Sequence, residues 1–155
     1  MGEALWPFAL DVYARPGVEA ALLALQDGHG QCAPYLIWAI WLAAEGREAD
    51  DAALADAAEL ARAWQGAAVA PLRDLRRELK RTGSARLARP REQLRERVKA
   101  LELEAERMLL QMLEAASPAP SAPPGEALAL LNRAVGAWGG GAPPQLLARL
   151  AQAQA

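Results

Sequence analysis

The chain has a single histidine, and it lies beside a carboxylate in a glycine-rich stretch, Gln26-Asp27-Gly28-His29-Gly30, with the only cysteine, Cys32, three residues further on. An Asp and a His this close are raw material for general acid–base chemistry, and a nearby thiol is raw material for a nucleophile. The same residues also suit the end of a helix. Asp27 can accept backbone N–H bonds and His29 suits the negative pole of a helix C-terminus, so capping is the favoured reading. Cys32, followed by Pro34 and a long apolar run, reads as a buried, inert thiol. Gln26, Asp27 and His29 stand as a candidate polar site, and no catalytic residue is assigned.

No metal is expected, because one His and one Cys fall short of a zinc ligand set. Asp50 and Asp51 read as acids at a helix N-terminus, and Glu102 with Glu106 lacks the Glu-x-x-His partners of helical di-metal sites. No cofactor is expected either: the chain has no P-loop, no dinucleotide fingerprint and no nucleophile elbow.

Charge is the stronger clue. Between Leu72 and Lys99 eleven Arg and Lys face four acids, a net of +7 inside a chain of formal charge −2. The first 71 residues carry −7 and the last 56 carry −2. Arg73, Arg76, Arg77 and Lys80 follow i, i+3, i+4, i+7 spacing, which gathers them on one strip of a helix as a candidate surface for an acidic partner or an anion. The competing reading is internal: Glu102 and Glu106, one turn apart on the next helix, could meet these arginines across an antiparallel hairpin. Nucleic acid is disfavoured, since residues 65–137 contain no aromatic side chain for stacking and neither zinc ligands nor helix-turn-helix spacing occurs.

The elements that would position these groups are helical. Ala and Leu dominate, β-branched residues are scarce and strand alternation is absent, which predicts an all-α, compact bundle of five to six helices. The first helix spans about Glu3–Ala14; the second opens at Pro16-Gly17 and stops at Gly28–Gly30. The third, about Ala33–Glu45, is apolar all round and belongs at the centre. Its polar-free run of thirteen residues, Cys32–Ala44, is too short to cross a bilayer, which takes ~20 residues. One apolar stripe continues across Pro71, predicting a long helix from about Asp51 to Arg81 with a bend near Ala67. Gly83-Ser84 turns the chain into a helix over Pro90–Ala116, whose Leu94, Val98, Leu101, Ala105, Met108, Leu109 and Met112 form a near-heptad seam. Trp6, Trp38, Trp41 and Trp64 read as core anchors, with the wall of an apolar pocket as the alternative.

This organisation sets a helical domain at 1–116, a Pro/Ala/Ser linker at 117–125 and a short helical or disordered, flexible tail at 126–155. The single thiol and an N-terminus unlike a signal peptide point to the cytoplasm.

Several segments resemble a family of short uncharacterised proteobacterial proteins known only as conserved hypothetical. They are Trp6 with Tyr13-Ala-Arg-Pro16-Gly17-Val18; Leu25-Gln26-Asp27 with His29-Gly30; Leu36–Leu42; Trp64 with Pro71-Leu72-Arg73 and Leu75-Arg76-Arg77 to Lys80; and Glu102-Leu103-Glu104-Ala105-Glu106. The resemblance covers about residues 5–115 and implies an all-helical, bacterial, cytosolic protein without an assigned activity.

The function expected from these readings is a non-enzymatic interaction module whose basic helix face binds an acidic protein partner. The alternative is a binder of, or enzyme acting on, a small anionic ligand held between a Trp-lined core and Arg73/Arg76. Nucleic-acid binding is the second alternative.

Overall fold

A helix with no polar face must be surrounded on every side, and α3 (Ala33–Ala44) has eleven buried residues in succession, Ala33 to Ala43. Around it pack α1 (Leu5–Tyr13), α2 (Val18–His29), α4 (Asp51–Trp64), α6 (Ala88–Ala115) and α7 (Ala127–Trp138). α5 (Ala70–Lys80) pairs with α6, and α8 (Pro144–Ala151) rests on α2 and α7. This computed structural model describes residues 3–81 and 83–154. Met1, Thr82 and Ala155, which fall within the expected domain, basic segment and tail, lie outside the described residues, as does Gly2. Among the described residues no strand occurs, and no helix is long and apolar enough to cross a membrane.

Local chemistry explains the boundaries. Gly17 and Gly30 bracket α2 with φ of 81° and 64°, a region in which a side chain is strained. Asp50 caps α4 by accepting from the Ala53 N–H at 2.8 Å. From Asp51 to Lys80 the chain is helical throughout, as phase continuity predicts. The bend takes a definite form: residues Gln65–Val69 make a π-helical segment between α4 and α5. Pro71 has no N–H and its ring crowds the carbonyl four residues earlier, so a wider turn just upstream lets the helix continue.

With α4, the π segment and α5 taken as one rod, five helices lie within 1–116, as expected, and two more follow. Of the forms open to 126–155, short helical or disordered, frayed or docked, these two helices take the short helical and docked one, so the tail is not a flexible extension. Leu131, Ala134, Leu147 and Leu150 are buried in the same core as Trp38 and Leu54. The Tyr35 hydroxyl lies 3.1 Å from the carbonyl oxygens of both Leu54 and Ala134, tying α3, α4 and α7 together. Gln31 donates from its amide to the carbonyls of Gly139 and Gly141 at 2.9 and 2.8 Å. Short helices are marginal alone, but the apolar face of α7 closes a side of α3 that no other helix covers. The 117–125 segment is likewise held: the Ser121 and Ala122 N–H groups donate to the Gly46 carbonyl at 2.9 and 3.1 Å. It connects two parts of one core and does not separate two bodies.

The expected heptad seam on α6 also splits. Val98, Ala105 and Leu109 face inward, whereas Leu94, Leu101 and Met108 are on the exposed side.

Candidate functional site

The α5–α6 hairpin is antiparallel, because Arg73 and Arg76 reach Glu102 while Arg73 also approaches Glu106, one turn further along α6. Arg73 Nε lies 3.1 Å from Glu102 Oε1 and Arg76 Nε lies 2.6 Å from Glu102 Oε2. Glu102 is 8 % exposed, so the internal pairing weighed from the sequence is the arrangement found for these two arginines. Arg77 sits 3.5 Å from the exposed carboxylate of Asp27, and Lys80 is exposed without an acid partner among the described residues. The four cations therefore do not form one outward strip: two face inward, one meets α2 and one faces water.

Burial works to raise the Glu102 pKa, but hydrogen bonds from Arg76 and Arg73 outweigh it and hold the carboxyl below its usual range. Glu106 goes the other way. Burial raises its pKa, and the neighbouring Glu102 adds to this against the pull of Arg73 and Arg76. Two carboxyls one turn apart thus hold their protons differently, a pattern associated with working sites.

These side chains line a cleft of about 540 Å³ between α1, α2 and the hairpin. Gln26 and Asp27 of the candidate polar site are on its α2 wall, and Tyr13 of α1 lines it as well. His29 is not among the lining residues; it is the last residue of α2 and exposed. Asp27 faces Arg77 and caps no backbone N–H among the described residues, so the Gln-Asp-Gly-His stretch does not act as a unit. Cys32 is fully buried, which pushes its pKa up to about 12 and keeps it a thiol.

No tryptophan lines this cleft. Trp38 and Trp41 are buried in the core, Trp64 Nε1 donates to the Ala105 carbonyl at 2.8 Å, and Trp6 lies under the Arg107 guanidinium at 5.3 Å. The expected Trp-lined cavity is corrected to one walled by leucines and a tyrosine. Tyr13 is the residue sequence reasoning missed as a site group. In α1 it shares the phase of Trp6, Ala9 and Leu10, which is that of an apolar face, and only the neighbouring hairpin makes it part of a cleft. Among the described residues no cluster of His, Cys, Asp and Glu could hold a metal ion.

A second feature lies at the far end of the hairpin. Twenty-eight residues make α6 about 42 Å long at 1.5 Å per residue. None of α5 is buried, and residues 88–97 of α6 are half-buried or exposed, so this end stands clear of the core. Lys80, Arg86, Arg89 and Arg97 have no acid partner among the described residues, while Arg81 pairs with Glu78 and Arg95 with Glu92. Leu87, Leu94 and Leu101, seven residues apart, are about half-exposed on the same element or its lead-in.

A family model described as Protein of unknown function (DUF2390) matches residues 4–113, nearly the span over which the sequence resembles an uncharacterised family. No curated protein and no solved structure matches the chain.

Proposed function

Since the chain belongs to this family of proteins of unknown function, which supplies no activity to carry over, we propose from its own geometry that it is a non-enzymatic interaction module binding an acidic protein partner. The observation that supports this reading is the projecting end of the α5–α6 hairpin, where unpaired cations alternate with half-exposed leucines. Lys80, Arg86, Arg89 and Arg97 attract acids at long range, and Leu87, Leu94 and Leu101 offer apolar area at seven-residue spacing for a partner helix. A second copy of the same hairpin would be repelled by like charge. Nucleic acid would leave the leucines without a role and would find no aromatic side chain on the hairpin.

The basic face expected from the sequence moves in this reading. Lys80 belongs to it, Arg86, Arg89 and Arg97 join it, Arg77 stays with Asp27 beside α2, and Arg73 with Arg76 become its structural base. The test compares wild type with Arg86→Glu/Arg89→Glu/Arg97→Glu and with Leu94→Asp, each checked by circular dichroism, in co-purification from the native host. The expected outcome is a stoichiometric acidic protein that is released by salt and absent with both variants. Recovery of nucleic acid in its place, or equal recovery with both variants, would overturn the reading.

A further inference from the structure

The half-open cleft between α1, α2 and the hairpin lies apart from the exposed cations at the hairpin end, and its polar floor is incomplete. Glu102 takes Nε of Arg73 and of Arg76, leaving the Nη1 group of each arginine without a protein partner among the described residues. The Tyr13 hydroxyl has no hydrogen-bond partner there either, and the only close contact of the Glu106 carboxyl is Arg73 Nη2, at 3.6 Å. Tyr13 and Glu106 both line the cleft, and neither has a side-chain polar atom that is both sealed from solvent and unbonded. Burial, reinforced by the nearby Glu106, keeps the Tyr13 phenol protonated. The open donors on the floor are therefore the Tyr13 hydroxyl and the two arginine Nη1 groups.

The walls are apolar and wet. Leu10, Leu23 and Leu103, from three different helices, are 48 %, 49 % and 51 % exposed, and all three line the cleft. Scattered exposed leucines are ordinary, but three converging above a floor of donors make an amphipathic receptacle.

We propose that this cleft binds a small monocarboxylate with an apolar tail, its carboxylate held by Tyr13, Arg73 and Arg76 and its tail laid against Leu10, Leu23 and Leu103. The carboxylate accepts from donors that the fold leaves open, and the tail removes the three leucines from water. A free inorganic anion satisfies only the floor, and an alkylamine only the walls.

The test is calorimetric titration of the full chain with sodium hexanoate, octanoate and decanoate below their micellar concentrations, with inorganic phosphate and octylamine as controls. One site per chain is expected, and each added pair of methylenes should tighten binding by roughly tenfold. Tyr13→Phe should weaken octanoate binding about fivefold by removing one donor. Leu23→Asp, at a half-exposed position that leaves the core intact, should weaken it about tenfold. Absence of saturable binding, equal binding of octylamine and octanoate, or wild-type affinity in the folded variants would overturn the proposal. None of these variants touches the hairpin end, so the outcome is independent of the partner-binding test.

Discussion

Gly46 and Ala122 approach so closely that a β-carbon on Gly46 would run into the Ala122 carbonyl. Gly46 also has φ of 63°, which disfavours any other residue. Gly46→Ala is therefore expected to cost about 2 kcal/mol or more, the strain of a left-handed non-glycine residue added to a displaced backbone. Gly28 is the control. It lies inside α2, where a β-carbon meets nothing within 4 Å, so Gly28→Ala should stabilise by roughly 0.5–1 kcal/mol. Urea denaturation of both variants checks the pair, and a neutral Gly46→Ala would contradict the close approach.

Leu131 of α7 is fully buried in the core that contains Trp38 and Leu54. Leu131→Ala should destabilise the whole molecule by about 3 kcal/mol, within the range for truncating a buried leucine. The measurement is global unfolding followed by near-ultraviolet circular dichroism in a Trp138→Phe background, where the signal reports the tryptophans of the first 116 residues. A segment independent of that core would leave their signal and their unfolding midpoint unchanged.

Glu106 and Glu102 should give opposite pH signatures. The Glu106 pKa is raised by burial, so its contribution to stability is complete below the ordinary carboxylate value and is lost as pH rises through the higher folded-state value. Although burial also acts on Glu102, its arginine bonds lower its pKa, so its contribution is present above the ordinary value and is lost as pH falls through the lower folded-state one. Glu106→Gln should therefore match wild type near about pH 4 and exceed it at neutral pH. Glu102→Gln should be destabilised at neutral pH, where Arg73 and Arg76 lose their counter-charge, and should converge with wild type in acid. Denaturation series across that range decide both, and parallel curves for Glu106→Gln would contradict its buried environment.

The sequence revealed those elements whose chemistry is self-contained. An apolar run such as Tyr35–Leu42 can only be central, and a stripe that keeps phase across Pro71 can only be one rod. The pairing of Arg73 and Arg76 with Glu102 was legible as an alternative, because an antiparallel hairpin brings i, i+4 glutamates opposite such arginines. What stayed hidden depended on surfaces far away in the chain. The apolar face of α7 looked too short to hold itself, and nothing local showed that Tyr35 and Leu54 would be waiting for it. Gln31 carries no local signal for the same reason: its amide matters only once the Gly139 and Gly141 carbonyls are brought to it. Tyr13 keeps the phase of an apolar face, and a one-dimensional phase cannot show that a largely buried ring also lines a cleft.

The burial of α7 and α8 against α3 has a kinetic side. Tyr35 and Trp38 are made early during translation, yet the helices that complete their enclosure begin only at Ala127, about ninety residues later. While the ribosome is still adding those residues, the nascent chain exposes one side of its most apolar helix, a period in which chaperones matter most.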